Sequence, residues 1–274
     1  MSNFIILLRK NLLEMVRNKR IIIFTFVFVA ISVISAFSAK ILPKLFELLV
    51  DELEGAGAGA MYVEKVTVAD SYIQYISNMG EIAVLLVSIM FAGTIVKEKK
   101  SGTYDTLKMN KVKDSEIVLS HFVSQIILAT ISYVLSIAMF VLLNIILFRQ
   151  IMGIRGFVIL FYIYLLLLVT ISFSLFSSCL CKKSGKAYLL VILTYFGVSL
   201  LEIIPKLNWV NPFHLLTIGS ELCYYESYSL KENLITSISS LLIGAFLVII
   251  SLFIVKNKIN NRKELANENI SRGI

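Results

Sequence analysis

Two histidines, three cysteines and one Gly-Lys pair are the residues on which catalysis, metal binding or phosphate binding would rest in this 274-residue chain. His121 and His214 lack the H-x-x-x-H spacing that puts two imidazoles on one helix face, and no G-x-S-x-G elbow presents a nucleophile. Gly185-Lys186 is followed by Ala187 and has no upstream glycine. The loop whose backbone amides cradle a nucleotide's phosphates is therefore missing. Cys179, Cys181 and Cys223 have no metal spacing with histidine and read as small packing residues. The expectation is a chain that is not an enzyme and binds no cofactor or metal. Work against a gradient would then draw on a partner chain or an ion.

Two carboxylates, Glu81 and Glu202, sit at the ends of apolar runs. A charge at the bilayer centre costs about 2.5–3.5 kcal/mol on insertion scales, so both are placed at the interface. Hydroxyls and small residues inside the runs, such as Ser88, Ser132, Ser136, Thr194 and Gly244, read as helix–helix contacts. The most unusual stretch is Val96–Leu107, VKEKKSGTYDTL, a polar segment held between two apolar runs.

The elements that carry these residues follow from composition. The chain is 58% hydrophobic and only 16% charged, against about one-quarter charged in an ordinary soluble domain. Apolar residues gather in runs long enough to cross a bilayer. Ile21–Ala39 predicts a first, retained span, since a secretory h-region is shorter. Met79–Val96, Ile117–Phe148, Gly156–Cys181, Ala187–Ile204 and Leu234–Val255 predict five more.

Ahead of them, Met1–Arg20 places Phe4, Leu8, Leu12 and Met15 on one helical face, which predicts an amphipathic helix in the membrane interface. Lys40–Asn78 is a polar excursion in which Ile41–Glu54 prolongs the first helix until the Gly55–Gly59 run breaks it. Arg149–Arg155 is a tight loop. Pro205–Asn233 mixes Trp209, Phe213, Tyr224, Tyr225 and Tyr228 with Pro205 and Pro212, which predicts short helices that dip into the bilayer without crossing. Lys256–Ile274 reads as a frayed polar tail.

Six spans put both termini on one side. Segments 1–20, 97–116, 182–186 and 256–274 on that side carry 19 Lys/Arg, against 7 in segments 40–78, 149–155 and 205–233. Both termini and the Val96–Leu107 stretch are therefore expected in the cytoplasm. The net charge of +8 reads as a topology signal, and nucleic acid is not an expected partner.

Taken with this topology, Glu98, Gly102-Thr103, Asp105 and Leu107 resemble the motif between spans 2 and 3 in membrane subunits of type-2 ABC transporters, the ABC-2 permease family. Asp105 stands where the family usually has Glu, and the Pro that often follows the Leu is absent. Asn211-Pro212-Phe213-His214 resembles the family's Asn/Ser-Pro-Phe before the last span. The resemblance covers essentially the whole chain. It implies an all-α integral membrane protein with six transmembrane helices, the N-terminal interfacial helix, a cytoplasmic coupling helix between spans 2 and 3, and short re-entrant helices between spans 5 and 6. The whole chain, 1–274, is one permease domain.

The function implied is the membrane subunit of an ATP-driven exporter in a bacterial cell membrane. ATP and Mg would be used by a separate ABC ATPase, present in two copies, and a second permease chain, identical or homologous, would complete the pore within the membrane lipid. Glu98, Gly102, Thr103, Tyr104, Asp105 and Leu107 would form the contact to the ATPase. Gly102-Thr103 makes a sharp turn with a capping hydroxyl, and Tyr104 and Leu107 offer an apolar face to a partner groove. Lys182, Lys183 and Gly185 would make a second, smaller contact. The first, second and fifth spans would face the partner chain and the path, with Phe24, Phe28, Ser32, Ser88, Thr194 and Ser199 along it. Glu202, Pro212, Phe213 and Glu221 would form an outer gate. Peptide, toxin or drug export is the favoured cargo class, with lipid, polysaccharide or sodium export as alternatives. A stand-alone immunity or sensor protein and an ion-coupled carrier are readings from other classes.

Overall fold

The computed structural model describes residues 3–54, 66–224 and 230–271, with side chains described for 3–45, 66–224 and 233–256. The Gly55–Gly59 break, Tyr225 and Tyr228 lie outside the described residues. All regular structure among the described residues is helical.

Helix α1 (Asn3–Arg17) turns at Lys19 into α2 (Arg20–Glu54), which continues through Pro43. The next span is built in pieces: α3 (Val68–Asn78), a π-helical turn at Met79–Ala83, α4 (Val84–Phe91) and α5 (Thr94–Lys100). A short α6 (Thr103–Met109) leads into α7 (Asp114–Phe148), then α8 (Gly153–Leu180) and α9 (Ser184–Leu200). Two 3-10 turns, Leu201–Ile203 and Pro205–Leu207, precede α10 (His214–Tyr224), and α11 (Leu230–Ser271) ends the chain. The tail expected to fray is a helical continuation of α11 as far as Ser271.

Among the described residues six helical stretches are long and apolar enough to cross a membrane: Arg20–Leu45, Val68–Lys100, Asp114–Phe148, Gly153–Leu180, Ser184–Ile203 and Asn233–Lys256. Span 2 begins earlier than Met79 because the amphipathic α3 packs against α2 and α10 and extends it. Spans 2 and 4 occupy the centre, 67% and 72% buried, whereas span 5 is only 11% buried. The second span is thus wrapped by its own chain, which departs from the expectation that it faces a partner.

The buried face of α1 is Leu7, Asn11 and Met15, with Phe4, Leu8 and Leu12 half-buried beside it. The face is turned from the expected one because α1 packs onto α7 and α2. Asn11 Nδ2 donates to Ser120 Oγ at 3.1 Å, an inward polar contact that a purely apolar count misses.

Span 2 has two irregularities, and both are occupied by tyrosines of α9. The wide π turn is met by Tyr195, whose hydroxyl donates to Gly80 O at 3.1 Å. At the α4–α5 break, a Cβ on Gly93 would lie 2.6 Å from Tyr188 Oη. The first turn of α5 is capped from another helix: Ser178 Oγ of α8 accepts from the N–H of Ile95 at 2.9 Å and of Val96 at 3.4 Å. Orphan amides at a helix start need such an acceptor. Ser178→Ala is expected to cost about 1 kcal/mol, read by denaturant titration in mixed micelles. No change in the midpoint would show that another acceptor takes over.

The apolar centre holds Phe24, Phe28 and Phe91 together, with ring centroids 4.8 Å apart for Phe24–Phe28 and 5.5 Å for Phe24–Phe91. Ser32 and Ser136 share a hydrogen bond of 2.6 Å, and Tyr75 Oη meets Ser136 Oγ at 2.9 Å. This triad ties α2, α3 and α7.

Candidate functional site

The elbow between spans 2 and 3 is built on a buried carboxylate. Glu98, on α5, is 8% exposed. Lys10 Nζ of α1 donates to its Oε1, and His121 Nε2 of α7 stands 2.9 Å from its Oε2. One carboxylate therefore fastens three helices. An unpaired charge in such a place would cost several kcal/mol, so the pairing makes its burial tolerable.

Beyond Glu98 the chain reverses. Gly102 has φ of +75°, in the left-handed region where a side chain is strained, and it is the N-cap residue of α6. Thr103 does not cap the helix as expected, because its hydroxyl pairs with Ser101 Oγ at 2.9 Å. Thr106 Oγ1 donates back to Gly102 O at 3.1 Å, which ties the first turn instead.

The apolar face of α6 points inward. Tyr104 is 5% exposed and packs with Leu7, Ile95, Ile117, Val118, Leu175 and Cys179, and Leu107 adds to the same cluster. The expectation that Tyr104 meets a partner groove is corrected on this geometry, since it binds α6 to its own bundle, whereas Leu107 is half-buried against the same cluster. Tyr104 Oη donates to Asp114 Oδ1 at 2.5 Å, and Lys108 Nζ donates to Asp114 Oδ2 at 2.5 Å. Lys99 Nζ lies 5.0 Å from the Tyr104 ring centroid. Burial pushes the Tyr104 phenol well above its ordinary range, and the Asp114 carboxylate adds to the rise. Asp114 opens α7, where the helix dipole favours a negative charge.

The end of α6 closes with bonds from Lys111 N to Lys108 O at 3.0 Å and Val112 N to Leu107 O at 3.2 Å. Lys111 takes φ of +59°, the place where this helix ending usually has glycine. Outward from α6 face Asp105, Thr106 and Met109, the last 85% exposed. Lys182, Lys183 and Gly185 are exposed at the start of α9. They stand at the same end of the bundle, since Lys97 of α5 lies over the ring of Tyr188 at 5.9 Å.

The residues expected along a path divide. Phe24, Phe28 and Ser32 are fully buried in the chain's own core. They serve as packing and helix-to-helix bonds, and the expectation that they line a path is corrected. Ser199 is on α9, where its hydroxyl donates to Phe196 O at 3.0 Å. Ser88 and Thr194 line an apolar crevice with Val84, Tyr195, Pro212 and Phe213, so two expected path residues meet two expected gate residues. The crevice measures about 20 Å³, room for roughly one water.

Above it, Asn211 Oδ1 accepts the N–H of Phe213 at 3.0 Å, a turn that launches α10. Glu202 accepts from Thr217 Oγ1 and lies 3.6 Å from His214 Nδ1. Glu221 is exposed on α10, and Glu81 is exposed on the π turn. Cys223, buried on α10, has its thiol pushed up to about 12 by burial, with Asp70 adding to the rise. It remains a thiol and donates to Gly219 O at 3.4 Å. Sequence reasoning missed His121, Lys10 and Asp114. The signal available was a charge in each of the helices flanking the polar stretch.

A family model described as ABC-2 family transporter protein matches residues 61–254, which includes the elbow, the crevice and α10. No curated protein matches the chain.

Proposed function

The chain belongs to the ABC-2 transporter family, and from that membership we propose that it is the membrane permease subunit of an ATP-driven exporter. The observation that carries the reading is the anchorage of α6. A seven-residue helix is fixed to spans 2 and 3 by Gly102, Tyr104 and Asp114 and braced by the Glu98 clamp to α1. A push on its exposed Asp105–Met109 face would be carried to α5 and α7 through these bonds. That is what a subunit without its own ATPase needs.

On this reading two copies of a separate ABC ATPase bind at α6 and at Lys182, Lys183 and Gly185. They use ATP and Mg, and this chain holds neither and performs no hydrolysis. The uncovered face of span 5 meets a second permease chain, identical or homologous. Both termini lie in the cytoplasm of a bacterial cell, and the narrow crevice at Ser88, Thr194, Pro212 and Phe213 widens toward α10 during transport. An apolar crevice of that kind suits peptides, toxins or drugs.

The test is co-purification of the tagged chain from its native membrane. An ABC ATPase should co-elute, and its absence would sink the proposal. Gly102→Val forces a β-branched side chain into the left-handed region, at a local cost of about 1–2 kcal/mol or more. The variant should insert normally but lose transport-coupled hydrolysis. Unchanged coupling would remove the elbow from the mechanism.

A further inference from the structure

A second feature lies on the far side of α6 from the Glu98 clamp. A groove of about 960 Å³ runs between the α6–α7 turn and the end of span 6. Ligand sites of about 300–1,000 Å³ take drug-sized molecules, so this one has room for a large amphiphile. Its two ends differ in chemistry. Along α11, Ile249, Leu252 and Phe253 form an apolar stripe at helical spacing, with Ile249 and Phe253 over 60% exposed. At the boundary, where span 6 ends at Lys256 and span 3 begins at Asp114, Lys108, Lys111, Lys113 and Lys256 converge.

Asp114, the one carboxylate lining the groove among the described residues, is engaged by Lys108 and Tyr104. Among the described residues no carboxylate pairs with Lys111, Lys113 or Lys256. Three lysines with no counter-ion among the described residues therefore stand over an apolar stripe that enters the membrane. A soluble anion would use the lysines and leave Ile249 and Phe253 wet; a neutral lipid would leave the lysines unanswered.

We propose that this groove is a binding site for an anionic glycerophospholipid, its phosphate held by Lys111, Lys113 and Lys256 and one acyl chain laid along Ile249, Leu252 and Phe253. Basic pockets at the membrane boundary beside transmembrane helices are known to select anionic headgroups. The proposal holds whatever cargo the chain moves and whatever drives it.

The test reconstitutes the purified chain in vesicles of phosphatidylcholine containing phosphatidylglycerol, then re-extracts it in mild detergent and quantifies retained lipid by mass spectrometry. The wild type should retain phosphatidylglycerol with an enrichment on the order of tenfold over its share of the vesicle. The surface variant Lys111→Gln/Lys113→Gln/Lys256→Gln should fall to near parity, and the matching triple arginine variant should keep the enrichment. Glycerol phosphate in solution should not displace the lipid. Equal retention by the wild type and the glutamine variant would overturn the proposal. So would a glutamine variant that keeps its lipid but loses a co-purifying protein, which would make the groove a protein interface.

Discussion

Glu98→Ala is expected to destabilise the purified chain by about 3 kcal/mol, the low end of what breaking a buried ion pair costs. The carboxylate bonds α5 to both α1 and α7, and its removal leaves Lys10 and His121 facing each other with no anion between them. Lys10→Met is expected to cost under about 1 kcal/mol, because the Lys10 side chain is 34% exposed and its charge is partly solvated already. Glu98→Gln should fall between the two, since the amide oxygen still accepts while the charge is gone. Unfolding by SDS titration in mixed micelles gives all three values. An alanine variant no less stable than Lys10→Met would show that the clamp is a surface pair in effect.

Removing the Tyr104 ring should have an effect of the same order. Tyr104→Ala empties a buried site between α6 and the bundle, at about 3–5 kcal/mol for a large aromatic. Tyr104→Phe keeps the ring and loses only the 2.5 Å bond to Asp114, at about 1.5–3 kcal/mol for a hydrogen bond to a charged group. Hydrogen exchange separates local from global loss. In the alanine variant the amides of 103–109 should exchange faster while those in the middle of α8 do not. If the two regions loosen together, α6 is not a separately anchored piece.

Much of the architecture was readable from run lengths. Six apolar helices, a helix at the N-terminus and a sharp turn at Gly102 follow from the sequence, because bilayer thickness and the absence of a Cβ each set a sharp rule. Which face a span turns inward was harder. On a helix that is apolar all round, the 3.6-residue period carries little contrast. Phe24 and Phe28 look no different in sequence from Phe26, yet they are fully buried and Phe26 is 72% exposed. Tyr104 misled for a related reason. An aromatic beside charged neighbours reads as a surface anchor, and its partner Asp114, ten residues on, becomes one only when the turn folds back. Glu98 was singled out by its motif, but the motif says nothing of Lys10, 88 residues earlier in the chain.

Span 5 meets span 2 at two pins, with Tyr195 on the carbonyl of Gly80 and Tyr188 against the bare α-carbon of Gly93, while its other side packs on α8. Both pins sit where span 2 departs from regular helix, so the places most able to change shape are the places that hold the least covered helix. Straightening the π turn would withdraw the Gly80 carbonyl from Tyr195, and closing the break at Gly93 would press on Tyr188. A change of shape at either place would be felt directly by α9, which is held on its other side by α8, where Ser177 Oγ donates to Ala187 O at 2.7 Å.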